Sequence, residues 1–175
     1  MISDVAPLPG YPEAYGLLLA VLQDGTREWR QELDPDLSED AVLWQPHPGM
    51  HSIGGIILHI ATVEVGWFER FVLDMPWDPE ERATLMAAET DVDEWQWPVP
   101  PHKPLSWYFE VHDRIRARTL ETIKRWPAPD FAKGEEGGIT MRWVLGHVIQ
   151  HEAYHGGQAV LLQRLWQLRD SVTRP

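Results

Sequence analysis

Apolar residues in this chain recur at helical three- and four-residue intervals in four stretches, which proline- and glycine-rich connections separate. The first covers residues 12–33. Pro12 suits an early helical position, where its missing N–H is no loss, and Asp34-Pro35-Asp36 ends the run. Leu18, Val21, Leu22, Trp29 and Leu33 are expected on its buried side. A polar connection, with Gln45-Pro46-His47-Pro48-Gly49 in it, leads to Ser52, which is placed to cap a second helix. Ile56, Ile60, Val63 and Trp67 share one face of that helix, and His59 falls within the same apolar stripe. Residues 75–104 hold repeated prolines, several acids and Trp77, Trp95 and Trp97, which predicts a long irregular connection with a short helix over 79–88.

The third helix is expected over 106–125, with Tyr108, His112, Ile115, Thr119 and Ile123 on one face and Trp126-Pro127 as its end. A glycine-rich turn at 134–138 follows. Thr140 then caps a fourth helix that runs through Leu162 to about residue 168, with Trp143, His147, His151 and His155 broadly along one side. Alternation at period two is nowhere long enough for a central strand. The pattern predicts an all-α protein built as a helical bundle.

Composition narrows the function classes. At 175 residues, residues 1–175 read as a single domain, and 43% hydrophobic with 24% charged residues is ordinary for a globular protein. No run is long enough to cross a bilayer, so no membrane partner is expected. The first ten residues contain Asp4 and no long apolar run, which predicts no secretory leader and a cytoplasmic address. A net charge of −12, with only 15 Lys and Arg, speaks against nucleic acid, whose phosphates need cationic neutralisation. Absence of cysteine rules out disulfides, thiolate ligands and a cysteine nucleophile. The ten tryptophans read mostly as core or interface residues, and Trp77, Trp95 and Trp97 in an acidic connection predict a homodimer that buries some of them.

Any metal must therefore sit on nitrogen or oxygen. His151 and His155, four apart on a helix, can aim two imidazoles at one point. Neutral imidazole ligates zinc, nickel, copper and iron, and a catalytic site usually takes three protein ligands. His59 is the expected third, because an imidazole on an apolar face needs a metal or a hydrogen bond to offset its burial. His147 and His112 are possible substitutes, better read as supporting or structural, and His47, His51 and His102 fall in loops and read as solvated. His151-Glu152-Ala153-Tyr154-His155 also matches the H-E-x-x-H metalloprotease pattern. Against that, the chain has no His or Glu after His155 and no strand to hold a peptide. Glu152 is read as a charged position beside the ligand stripe.

His151-x-x-x-His155-Gly156-Gly157-Gln158, together with Ser52-Ile53-Gly54 leading to Leu58-His59-Ile60, resembles the DinB-like family of metal-binding bundles. Leu37-Ser38-Glu39, Trp44 and Pro46 resemble that family's loop before the second helix, so the likeness spans roughly residues 11–167. It departs at Tyr154, where many relatives carry a second histidine. The resemblance implies a four-helix bundle with a long crossover between the second and third helices, one divalent metal such as zinc or nickel on His59, His151 and His155, and frequent dimers. It implies thiol S-transferase or isomerase chemistry with mycothiol or bacillithiol, or hydrolysis, on a small-molecule substrate. No catalytic side chain or cofactor-binding residue beyond the metal trio is assigned. The expectation is a metal that activates a thiol or water; the alternative is a metal-stapled, non-enzymatic module that binds a partner.

Overall fold

The computed structural model describes residues 4–87, 89, 96–126, 131–133 and 138–172. Trp95, the tail of the short helix at Ala88, Pro127 and most of the glycine-rich turn lie outside these residues. Six α-helices occupy most of the described chain, in keeping with the all-α expectation: α1 (Glu13–Glu32), α2 (Glu39–Leu43), α3 (Ile53–Val65), α4 (Pro79–Met86), α5 (Leu105–Lys124) and α6 (Met141–Val172). The strands β1 (Phe131–Lys133) and β2 (Ile139–Thr140) form a short antiparallel pair just before α6.

Local chemistry starts and stops these helices where the sequence indicates. Pro12 precedes α1, and Leu33 leaves the helical region with ψ 136° ahead of Asp34-Pro35. The Ser52 hydroxyl accepts from the Gly55 N–H at 3.1 Å, the Asp78 carboxylate from Glu81 N–H at 2.8 Å and the Thr140 hydroxyl from Trp143 N–H at 3.2 Å. Two features are new. Ser38 caps the one-turn helix α2 inside the connection read as polar loop, and α3 widens into a π-helical segment, Gly66–Val72.

α3 is the central element. It packs against α5 and α6, while α1 lies along α6. Ile53, Ile56, Ile57, Leu58, Ile60 and Ala61 are all 2% exposed or less, so α3 is buried around most of its circumference and not on a single stripe. On α1 the buried side is Tyr15, Leu19, Leu22 and Trp29, one i, i+4, i+7 ridge; Val21 is exposed and Leu18 half-buried, because α6 covers only that ridge. Trp143, on the side of α6 that carries His147, is half exposed.

Two glycines mark where helices approach most closely. A Cβ at Gly156 would stand 2.5 Å from Trp29 Cγ, so α6 meets α1 closely only because residue 156 has no side chain. Gly54 does the same for Tyr108, whose ring would stand 2.7 Å from a Cβ there. These contacts fix α6 on α1 and α3 on α5 directly beside the histidine positions.

Candidate metal centre

His59 comes from α3, His151 and His155 from adjacent turns of α6. Their packing brings one ring nitrogen of each within 4.8 Å of the others. His59 Nε2 and His151 Nε2 are 3.1 Å apart, and the three ring centroids lie 4.5–4.9 Å from one another. A tetrahedral zinc with Zn–N of 2.0–2.1 Å separates its ligand nitrogens by about 3.3 Å, so the facing pair is already near that spacing.

The far nitrogens show which lone pairs are left. His59 Nδ1 lies 3.0 Å from both Glu89 carboxylate oxygens, and His155 Nδ1 lies 2.7 Å from Gln158 Oε1. Both partner oxygens accept, so each Nδ1 donates and the other nitrogen of each ring is turned toward the interior of the trio. Burial, with the neighbouring imidazoles His155, His59 and His147, lowers His151 to about 3. Burial and His59 likewise lower His155 to about 4, against the opposing pull of the Gln158 hydrogen bond. At neutral pH these two rings are uncharged. Three convergent ring nitrogens, with the outer nitrogens of two rings anchored, are a donor set that a divalent transition metal takes.

His51 departs from expectation. It is half-buried, not solvated, with its ring tilted 36° against that of Trp97 at 3.7 Å between centroids, and with His155 at 5.6 Å and His59 at 6.5 Å. The loop that carries it is tied to the Trp97 segment: Trp97 N–H donates to Gly49 O and Gln45 Nε2 donates to Trp97 O. Burial is the main reason His51 falls to about 4, and its Nδ1 is buried with no hydrogen-bond partner among the described residues. Trp97, itself edge-on to His59 at 4.9 Å, is thereby a wall of this site, while Trp77 is half-buried and packs against the core. His47 and His102 are exposed as expected, His102 beside Glu39.

Glu152 also differs. It is 2% exposed and faces α1 and α5, accepting from Thr26, Trp29 Nε1 and Arg116. A carboxylate so engaged is unavailable as the general base of a protease. His112 lies with it in a second buried group, Glu64–His112–Glu152, and not with the trio. Arg116 donates to both carboxylates of that group, so a guanidinium already stands where a cation would. His147 stacks on Trp143 at 5.3 Å and 6° and meets Trp67 edge-on at 4.9 Å, leaving it outside the converging three. Sequence periodicity found the trio; Glu89, Gln158 and the His51–Trp97 pair escaped it, although Gln158 lay in the quoted motif at i+3 from His155.

Fold and site together define a mostly helical protein whose packing gathers three histidines into a group that could hold a metal ion. The family model described as mycothiol-S-transferase matches residues 17–166, and the chain belongs to that family, in agreement with its DinB-like motifs. No curated protein matches it. Among the described residues no helix is long and apolar enough to cross a membrane.

Proposed function

We propose that this protein is a cytoplasmic metal-dependent S-transferase that joins a low-molecular-weight thiol, mycothiol by family, to a small electrophile, with His59, His151 and His155 as ligands of one zinc or nickel ion. The observation that carries this is the commitment of the outer nitrogens of His59 and His155 to Glu89 and Gln158, which turns the other nitrogen of each ring toward the point where His151 Nε2 also lies. A divalent cation held there lowers the pKa of a coordinated thiol toward neutrality. The sulfur forms its bond to the electrophilic carbon as the leaving group departs with the bonding pair, and the thiol proton leaves to solvent. His51 and Trp97 border the trio and would shape the approach of the small molecule.

α1, α3, α5 and α6 suit the family's four-helix bundle, with the segment between α3 and α5 as its crossover. A homodimer is proposed as well: Leu17 and Val21 on α1 and Leu161, Leu165 and Leu168 on α6 are apolar and exposed. Purified protein assayed with mycothiol, with bacillithiol and with no thiol, against a chromogenic electrophile and against esters, tests the reaction. Metal-dependent turnover that requires thiol supports the transferase. Turnover of esters alone makes it a hydrolase, and tight metal binding with neither activity points to a metal-stapled binding module instead.

A further inference from the structure

The second buried group spans the same two helices as the histidine trio. Glu64 lies five residues after His59 on α3, and Glu152 follows His151 on α6. Arg116, from α5, joins them: Nε lies 3.0 Å from Glu64 Oε1, one terminal nitrogen donates to Glu64 Oε2 at 2.9 Å and also to Glu152 Oε2, and the other donates to Thr26 Oγ1 at 3.1 Å. Thr26 and Trp29 of α1 donate to the remaining Glu152 oxygen at 2.5 and 3.1 Å. Arg30 of α1 reaches His112 Nδ1 at 2.6 Å, and His112 Nε2 lies 3.7 Å from Glu64. Burial, the largest influence, would raise both carboxyls, yet the Arg116 charge, the side-chain hydrogen bonds and His112 together outweigh it and hold each below the usual glutamate range.

Burying two carboxylates and a guanidinium is a poor route to stability, since well-packed apolar side chains of similar volume do at least as well. Directional bonds do what apolar packing does poorly: they fix how far one helix is turned and slid against another. Glu64 lies five positions beyond His59, about 7.5 Å along the helix, and Glu152 is the residue next to His151, too short for either helix to bend between the two points. A metal site needs its ligands held to within about 0.5 Å. α5 supplies no ligand, but its arginine grips both helices that do.

We infer that Arg116 is a positioning residue for the histidine trio: by bridging Glu64 and Glu152 it sets the register of α3 against α6 at which His59 meets His151 and His155. This rests on the metal reading above.

The probe is cobalt(II), whose visible ligand-field bands report coordination geometry, with affinity measured by competition titration of the intact chain. Arg116→Lys keeps the charge but cannot span both carboxylates, and Glu152→Gln keeps the shape while weakening one arm. Arg118→Met is the control, an α5 arginine that pairs Glu69 and Glu81 away from the trio. Arg116→Lys and Glu152→Gln are expected to weaken cobalt binding by about 10-fold or more, in the range seen when outer partners of metal ligands are lost, and to shift the bands. Arg118→Met should leave affinity within about twofold and the bands in place. Should Arg116→Lys fail to fold, Glu152→Gln carries the test. Wild-type affinity and bands in the folded variants overturn the inference, as does an equal loss in Arg118→Met, which would signify general loosening. A wild-type protein that binds no cobalt overturns the metal reading itself, a result distinct from either.

Discussion

Two clusters of buried histidines and glutamates bridge α3 and α6, and they end in opposite chemical states. Around Arg116 each glutamate meets a cationic or hydroxyl donor within the chain, and nothing is left for a ligand to satisfy. At His59, His151 and His155 the outer nitrogens of His59 and His155 are engaged by Glu89 and Gln158, and the Nε2 atoms of His59 and His151 face each other at 3.1 Å. Residue type alone does not separate a structural cluster from a binding site. What separates them is the balance of donors and acceptors after the chain has made its own bonds.

The sharpest break in that comparison comes from removing one of the proposed ligands. His59→Ala, His151→Ala and His155→Ala should each lower metal occupancy by more than the roughly 10–100-fold that follows loss of an outer partner, whereas His112→Ala, His47→Ala and His102→Ala should leave it near one per chain. Elemental analysis of the purified variants measures this. Full occupancy in His59→Ala and His155→Ala, or a loss in His112→Ala as deep as in His151→Ala, would erase the distinction between the clusters.

Stability should invert the ranking. Arg116→Met strands two buried carboxylates and should destabilise the metal-free protein by about 3–5 kcal/mol, read from urea unfolding. His155→Ala, which removes one of several mutually unfavourable imidazoles, should cost far less in the same metal-free state. Equal losses would mean that both clusters are structural.

Acid separates them again. Glu64 and Glu152 titrate lower when folded than the ordinary glutamate value of about 4.3, so their stabilisation is complete above that value and is lost as pH falls toward their depressed folded values. His151 and His155, at about 3 and about 4 when folded, also lie below their unfolded value of 6.5. Between those limits the unfolded chain binds more protons, so stability falls as pH drops from about 6.5. Metal-free protein should therefore weaken in two stages, the first beginning near pH 6.5 and the second below about 4.3. His51, at about 4, titrates in the same first stage, so a His51→Ala, His151→Ala, His155→Ala triple variant should lose only that stage. A urea midpoint that stays flat from pH 8 to 5 in the metal-free wild type would contradict this.

The parts of this molecule that could be read from sequence are those set by neighbours along the chain. Ser52, Asp78 and Thr140 cap helices through bonds three residues long, and the i, i+4 spacing of His151 and His155 sets their convergence before any packing is known. His59 was legible because an imidazole inside an apolar stripe needs a reason. Glu64 stood in the same stripe, in Ile60-Ala61-Thr62-Val63-Glu64-Val65, and should have prompted a search for a buried cation. That cation, Arg116, is 52 positions away, and nothing local marks it. Glu89 reaches His59 across 30 positions and His51 reaches Trp97 through a loop pairing, contacts that only the finished packing supplies. Val21 was misplaced for a related reason: helical periodicity gives the spacing of a buried face, but the neighbouring helix decides which face is buried.

His147 belongs to neither cluster, and it tests where the open one ends. One turn before His151 on α6, it could close the site as a fourth ligand if its ring swung inward. Its ring is instead engaged with Trp143 and Trp67, the first nearly parallel and the second edge-on, and its centroid is 6.2 Å from that of His151. Leaving that stack would forfeit aromatic contacts of about 0.5–1.5 kcal/mol each, and a fourth imidazole would remove the coordination position that a substrate needs. His147→Ala should therefore leave metal stoichiometry unchanged, cobalt affinity within about threefold, since 1.4 kcal/mol would already be tenfold, and stability lower by no more than the stacking energy. Competition titration and urea unfolding give both numbers. A metal loss as deep as that of His151→Ala would make His147 a ligand, close the site with four imidazoles and turn the histidine cluster into a structural staple like its carboxylate neighbour.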